Sequence, residues 1–257
     1  MAPDITTYAV AATLIFMVSF VFAMLGLGGG MLYVPIIKWL GFPLKAVAIP
    51  IGLLLNGLNT LLAFLRYWRE GLVDFRGGAP AAITALVMAP LGALCVGFLP
   101  IDLLIGLFAL AVAVAGARSL ATASRSETRT VTLTPRRRAL IGAGPGAVAG
   151  FLGGLLGIGG GFIIAPVLME LGYPTKQAAA TTAFIVTFSS FSGFLAHMAE
   201  GHIDPTFAVV TVLAVVAGSQ LGAWFMAKKA HPGWVKRLYG VVLLAVAAKL
   251  LHGLLTG

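Results

Sequence analysis

Apolar residues occur in long runs along the whole chain, separated by short stretches that are rich in polar residues, glycine or proline. Eight runs are long enough to cross a bilayer as a helix, which takes about 20 residues. They cover residues of about 5–40, 44–65, 78–98, 101–121, 139–169, 175–199, 205–227 and 235–255. The pattern predicts an all-α polytopic membrane protein.

The composition supports the same class. Of the 257 residues, 60% are hydrophobic and 10% are charged, whereas a soluble domain carries about 25% charged residues. So few charges cannot cover a water-facing surface, and most of the outer surface must face lipid. The net charge of +9 does not point to nucleic acid, because the basic residues lie between apolar segments, where anionic lipid head groups and the positive-inside bias explain them.

The chain contains a duplication. Residues 26–48 and 157–179 align without a gap, and 10 of the 23 positions are identical, where chance would give roughly two. Shorter matches continue downstream at an offset one residue smaller, so the repeat spans whole halves. The predicted organisation is an N-terminal membrane repeat (1–121), a cytoplasmic Arg-rich linker (122–138) and a C-terminal membrane repeat (139–257).

The lysines and arginines distinguish two membrane arrangements. If all eight segments cross once with the N-terminus inside, 10 of these residues lie on the cytoplasmic side and 7 outside. If segments 5–40 and 139–169 instead fold back at their triple glycines, the numbers become 14 and 3, which fits the positive-inside rule better. Each half is then a Gly-broken hairpin plus three transmembrane helices, and the two halves form an inverted repeat.

The triple glycines are the first candidate binding groups. They are Gly28, Gly29, Gly30, Gly159, Gly160 and Gly161. Each glycine costs roughly 1 kcal/mol in a helix interior, and a break there frees up to four backbone N–H groups at the start of a half-helix near Met31 or Phe162. These groups and the helix dipole together predict a paired site for a small anion. The alternative, that the glycines only permit close helix packing, stays open.

Polar side chains of the next segments supply further candidates. The repeat offset of 131 residues places Thr187 opposite Asn56 and Ser190 opposite Asn59. Because an asparagine in mid-membrane is costly without a partner, we expect these side chains to line a polar cavity between the halves. They could alternatively do no more than bond neighbouring helices.

No catalytic, metal or cofactor site is predicted. No Asp or Glu residue lies in the middle of a predicted segment, which argues against a buried carboxylate proton relay. The four histidines lack metal-ligand spacing, and neither glycine tract completes a nucleotide-binding motif. We therefore expect a transporter rather than an enzyme. A membrane scaffold or accessory subunit without transport activity is the alternative, and an intramembrane enzyme is a weaker one.

The duplicated pattern G-[LI]-G-G-G-x(4)-P followed by G-[FY]-P-x-K, the eight apolar segments and the size resemble the TauE/SafE family of sulfite exporters. The resemblance covers nearly the whole chain. It implies a multi-pass protein of the cell inner membrane that transports small sulfur-containing organic or inorganic anions, such as sulfite or sulfoacetate. The anion and the lipid bilayer are the expected partners, and the sequence leaves the direction, the coupling ion and the choice between monomer and homodimer open.

Overall fold

Helices make up the described part of this computed structural model, which covers residues 5–95, 101–121, 123, 135–198 and 204–256. They are α1 (Ile5–Leu25), α2 (Gly30–Trp39), a π-helical turn (Leu44–Ala48), α3 (Ile49–Arg69), α4 (Phe75–Leu94), α5 (Ile101–Ala121), α6 (Pro135–Leu156), α7 (Gly161–Glu170), α8 (Thr175–His197), α9 (Pro205–Lys228) and α10 (Pro232–Thr256). Within those ranges, five helices are long and apolar enough to cross a membrane. The predicted all-α polytopic class is confirmed.

Both glycine tracts break the helix and reverse the chain. In a continuous helix Ser19 and Tyr33 would lie about 21 Å apart, but their hydroxyl oxygens are 2.7 Å apart. In the second half, a Cβ built on Gly160 would lie 2.2 Å from the carbonyl oxygen of Ala149, eleven residues earlier. The short helices α2 and α7 therefore fold back along α1 and α6, and the two predicted hairpins are confirmed.

Two ion pairs distinguish the membrane arrangements. Lys228 Nζ lies 2.7 Å from Glu70 Oε2, and Arg118 Nη2 lies 2.6 Å from Glu170 Oε2. Eight simple crossings would separate the partners of each pair by the thickness of the bilayer. The hairpin arrangement places all four residues at one end of the molecule, on the side that the charge bias assigns to the cytoplasm.

Equivalent helices of the two halves run antiparallel where they pack. The start of α3 meets the end of α8, where Asn56 Nδ2 lies 2.6 Å from Ser190 Oγ, and the ring of Phe64 near the end of α3 meets that of Phe184 near the start of α8. Helix α1 packs on α9 and its counterpart α6 on α4, so the contacts interchange when the halves are swapped. An inverted repeat would have this geometry, and both the inverted repeat and its orientation in the bilayer stay predictions.

The π-helical turn explains why the repeat offset changes along the chain. The Pro43 carbonyl accepts the N–H groups of Val47 (3.1 Å) and of Ala48 (3.0 Å), four and five residues on, whereas the equivalent Pro174 carbonyl accepts that of Ala178, four residues on (2.8 Å). A π turn holds one residue more than an α-helical turn. Equivalent positions therefore differ by 131 residues before this turn and by 130 after it.

The downstream repeat match, residues 71–74 and 201–204, ends in both halves at an aspartate that caps a helix. The Asp74 carboxylate accepts the Gly77 N–H (2.9 Å) at the start of α4, and the Asp204 carboxylate accepts the Thr206 N–H (2.8 Å) at the start of α9. Aspartate is a favoured N-cap residue. Helix α6 starts at Pro135, within the predicted linker, while most of residues 122–138 lies outside the described ranges and the division into domains stays a prediction.

Thiol labelling tests the arrangement of the helices in the membrane. In a Cys95→Ala background, we expect Lys228→Cys to react with a membrane-impermeant thiol reagent only in inside-out vesicles. The matched Lys38→Cys variant, at the end of α2, should react only in intact cells, because the hairpin arrangement places that end outside. Labelling of Lys228→Cys in intact cells would support eight simple crossings instead.

Candidate functional site

The two glycine tracts meet at the contact between α3 and α8. A Cβ on Gly161 would lie 2.7 Å from the carbonyl oxygen of Leu27, and one on Gly30 would lie 3.2 Å from the Cα of Ile158. A Cβ atom could not be placed at Gly161 without moving the backbone, and one at Gly30 would be tightly packed. We call this region, comprising residues 26–30 and 157–161 with the side chains that bond them, the central site.

Asn56 links the two repeats within the central site. Its Oδ1 accepts the Gly30 N–H at 2.6 Å, and its Nδ2 donates to Ser190 Oγ at 2.6 Å. Both side chains are completely buried. One carboxamide on α3 thus bonds the first residue of α2 and a side chain of α8 in the other repeat, and the expectation that these side chains line a polar cavity stays a prediction.

Asn59 and Ser189 donate equivalent hydrogen bonds to the glycine tracts of the two repeats. Asn59 Nδ2 donates to the carbonyl of Gly28, and Ser189 Oγ donates to the carbonyl of Gly159 at 2.9 Å. The glycines are 131 residues apart and the side chains 130 apart, as the π-helical turn requires. The structural counterpart of Asn59 is therefore Ser189, where the uninterrupted offset had placed Ser190.

Thr187 does not bond the glycine tracts. Its hydroxyl donates to the Ala183 carbonyl in its own helix at 2.8 Å, and after the π-helical turn the counterpart of Asn56 is Val186. The first repeat therefore carries a carboxamide where the second carries an aliphatic side chain. The structure brings together the remaining predicted residues, namely Gly28, Gly29, Gly30, Asn56, Asn59, Gly159, Gly160, Gly161 and Ser190.

A second pair of equivalent side chains hydrogen-bonds carbonyl groups near the ends of α1 and α6. Tyr67 OH donates to the Ala23 carbonyl at 2.7 Å, and His197 Nε2 lies 3.2 Å from the Gly154 carbonyl oxygen. The sequence comparison missed Tyr67, because a single offset of 131 residues along the whole repeat pairs His197 with residue 66. The shorter offset of the downstream repeat match was the signal that could have identified both Tyr67 and Ser189.

Several polar atoms of the site have no partner within the described part of the chain. The backbone N–H groups of Gly29, Met31, Gly160 and Gly161 donate no hydrogen bond there. Asn59 Oδ1, an acceptor that an anion's oxygens cannot satisfy, is buried without a partner as well. Each helix start also carries a partial positive charge of about half a unit. Because unpaired buried donors are unfavourable, the site favours a ligand rich in acceptors, such as an anion.

This fold and site define a class of protein. Broken helices from two related halves that meet at a buried polar centre are typical of secondary membrane transporters. Within the described ranges, no group of three or more His, Cys, Asp or Glu residues is placed to hold a metal ion.

The particular family follows from comparison with known sequences. Residues 11–250 match the sulfite exporter TauE/SafE family, and the chain belongs to that family. It is similar to probable membrane transporter protein YunE of Bacillus subtilis, with 29% identity over 252 residues, 90% of this chain and 92% of that protein. Probable membrane transporter protein y4hK of Sinorhizobium fredii is 28% identical over 240 residues, 92% of this chain and 95% of that protein.

A plant relative matches over a shorter stretch. Sulfite exporter TauE/SafE family protein 3 of Arabidopsis thaliana is 40% identical over 79 residues, 31% of this chain and 16% of that protein. No solved structure matches the chain. Together with the helical fold, these relatives make the chain a multi-pass membrane transporter and not an enzyme.

The assignment of Ser189 rather than Ser190 as the counterpart of Asn59 can be tested with the hydroxyls of Ser189 and Thr187. We expect Ser189→Ala to lower transport several-fold, because the buried Gly159 carbonyl loses its donor at a cost of about 1–3 kcal/mol. Thr187→Val removes a hydroxyl two residues earlier on the same helix that bonds only its own backbone, and it should transport like the wild type. Initial uptake rates per folded protein measure both, and a larger loss in Thr187→Val would contradict the assigned register.

Proposed function

We propose that this transporter is a secondary carrier of small anions that binds them between the starts of α2 and α7. Sulfur-containing anions such as sulfite and sulfoacetate are the proposed substrates, and the inner membrane of the cell is the proposed location. The family description names sulfite export, and that property is carried to this chain here as part of the proposal.

The observation that carries the proposal is the set of unpartnered backbone N–H groups at both helix starts. Two belong to the first repeat, at Gly29 and Met31, and two to the second, at Gly160 and Gly161. Anions accept hydrogen bonds from such groups and are stabilised by the positive ends of the helix dipoles. An oxyanion carries several acceptor oxygens and can bond donors from both repeats at once.

Transport requires the central site to open, because the structure shows it closed. Asn56, Asn59 and Ser190 have no solvent exposure, and the glycine tracts touch. When one repeat moves relative to the other, Asn56 Oδ1 can release the Gly30 N–H, which then becomes a further donor for the anion. Asn56 thus occupies in the closed form the place that we assign to a substrate oxygen.

Uptake into proteoliposomes tests the proposal. Purified protein is reconstituted, and entry of radiolabelled sulfite, sulfoacetate and sulfate is measured with and without a pH gradient. We expect saturable uptake of at least one of these anions that the unlabelled anion inhibits and that protein-free liposomes lack. Absence of uptake of all three under both conditions would contradict the proposed substrate class.

A further inference from the structure

An apolar groove lies beside the first hairpin, between α1, α2 and α10, away from the central site. Its volume is about 400 Å³, within the range of about 300–1,000 Å³ that is typical of small-ligand pockets. The wall is formed by side chains that include Met17 and Phe22 of α1, Leu32 of α2, and Val242 and Val246 of α10. Lys249 is the one polar side chain of the lining.

The rim of the groove carries a positive charge and an exposed aromatic ring. Lys249 Nζ lies 4.2 Å from the centre of the Trp39 ring, and 71% of the Trp39 residue surface is exposed. Within the described part of the chain, Lys249 forms no ion pair. Tryptophan is enriched at the boundary between membrane and water, so the charge lies where lipid head groups lie.

The groove extends from this rim toward the middle of the helices. From Lys249 to Val242 it follows α10 for about 10 Å, and Phe22 and Leu32 form part of its apolar wall. A ligand that matches this surface has a negative head at Lys249 and an apolar tail along α10. Among the molecules that surround a membrane protein, a phospholipid has this chemistry.

We propose that the groove binds one anionic phospholipid, with its phosphate on Lys249 and an acyl chain in the groove. The charge of the rim selects among lipids. A zwitterionic head group would bring its own ammonium near Lys249, whereas phosphatidylglycerol brings a phosphate without a cation. The inference stands apart from the proposed anion transport, because no groove residue belongs to the central site.

Native mass spectrometry of the purified protein tests the proposal, with phosphatidylglycerol and phosphatidylcholine titrated separately. We expect one phosphatidylglycerol to bind more tightly than phosphatidylcholine. Lys249→Gln should weaken the binding of phosphatidylglycerol about fivefold, the effect of one lysine near an anionic surface. Lys249→Arg should preserve it, and Ala245→Trp, which fills the groove, should weaken the binding of both lipids.

Two variants control for general changes in charge and shape. Lys38→Gln removes an exposed lysine next to Trp39, and Val241→Trp places the same tryptophan at an exposed position of α10 outside the groove wall. Both should bind lipid like the wild type, and circular dichroism establishes that each variant is folded. Equal binding of the two lipids by the wild type, or equal weakening in groove and control variants, would overturn the proposal.

Discussion

Replacing Asn56 by leucine should reduce anion uptake at least roughly tenfold while leaving folded protein in the membrane. The Asn56 carboxamide accepts the Gly30 N–H and donates to Ser190, and leucine can do neither. A buried donor without an acceptor costs about 1–3 kcal/mol, and about 1.4 kcal/mol corresponds to a factor of ten in rate. The leucine side chain would also place an apolar group where we assign a substrate oxygen.

Thr60→Val is the matched control for this variant. It removes a buried hydroxyl one turn further along α3 that bonds only carbonyls of its own helix, those of Asn56 and Gly57. We expect uptake close to that of the wild type. Wild-type uptake by folded Asn56→Leu would contradict the assignment of the substrate to the central site.

Replacing Gly28 by alanine should strongly reduce transport, both through backbone strain and through the contact of the added methyl group. Gly28 has a φ of 94°, and an added Cβ would lie 2.2 Å from Asn56 Oδ1. An L-residue in the left-handed region costs roughly 1–2 kcal/mol, and the overlap would also displace the Asn56 carboxamide. Uptake per folded protein should fall at least roughly tenfold, by the same conversion between free energy and rate.

Gly71→Ala separates the two contributions. Gly71 has a φ of 70°, and a Cβ there would meet nothing within 4 Å. This variant should lose about 1 kcal/mol of stability, measured as a lower melting temperature, and should keep its transport rate. Equal loss of uptake in both variants, measured on equal amounts of folded protein, would mean that backbone strain alone is responsible and that the Asn56 contact does not matter.

The fold could be predicted from the sequence because its signals are strong and local. Long apolar runs identify membrane helices, and three consecutive glycines within such a run identify a break. The half-helices were expected near Met31 and Phe162, and they begin at Gly30 and Gly161. The charge bias also favoured the hairpin arrangement that the Glu70–Lys228 and Arg118–Glu170 ion pairs support.

The details of the site were harder to predict, because they depend on a single turn of backbone. The π-helical turn at Leu44–Ala48 adds one residue to the first repeat, and no local residue preference announces it. Pairing the repeats without that shift assigned Thr187 and Ser190 as counterparts of the two asparagines. A change of one residue rotates a helical position by about 100°, so Ser189 takes the place opposite Asn59 and Thr187 turns away.

The unequal pair Asn56 and Val186 has a consequence for the transport cycle. If the two repeats were identical and oppositely oriented, the inward-facing and outward-facing forms would have the same free energy. A hydrogen bond contributes about 0.5–1.5 kcal/mol net, so a carboxamide in only one repeat is enough to populate one form up to about tenfold over the other. Such a carrier would rest facing a preferred side of the membrane before any gradient acts on it.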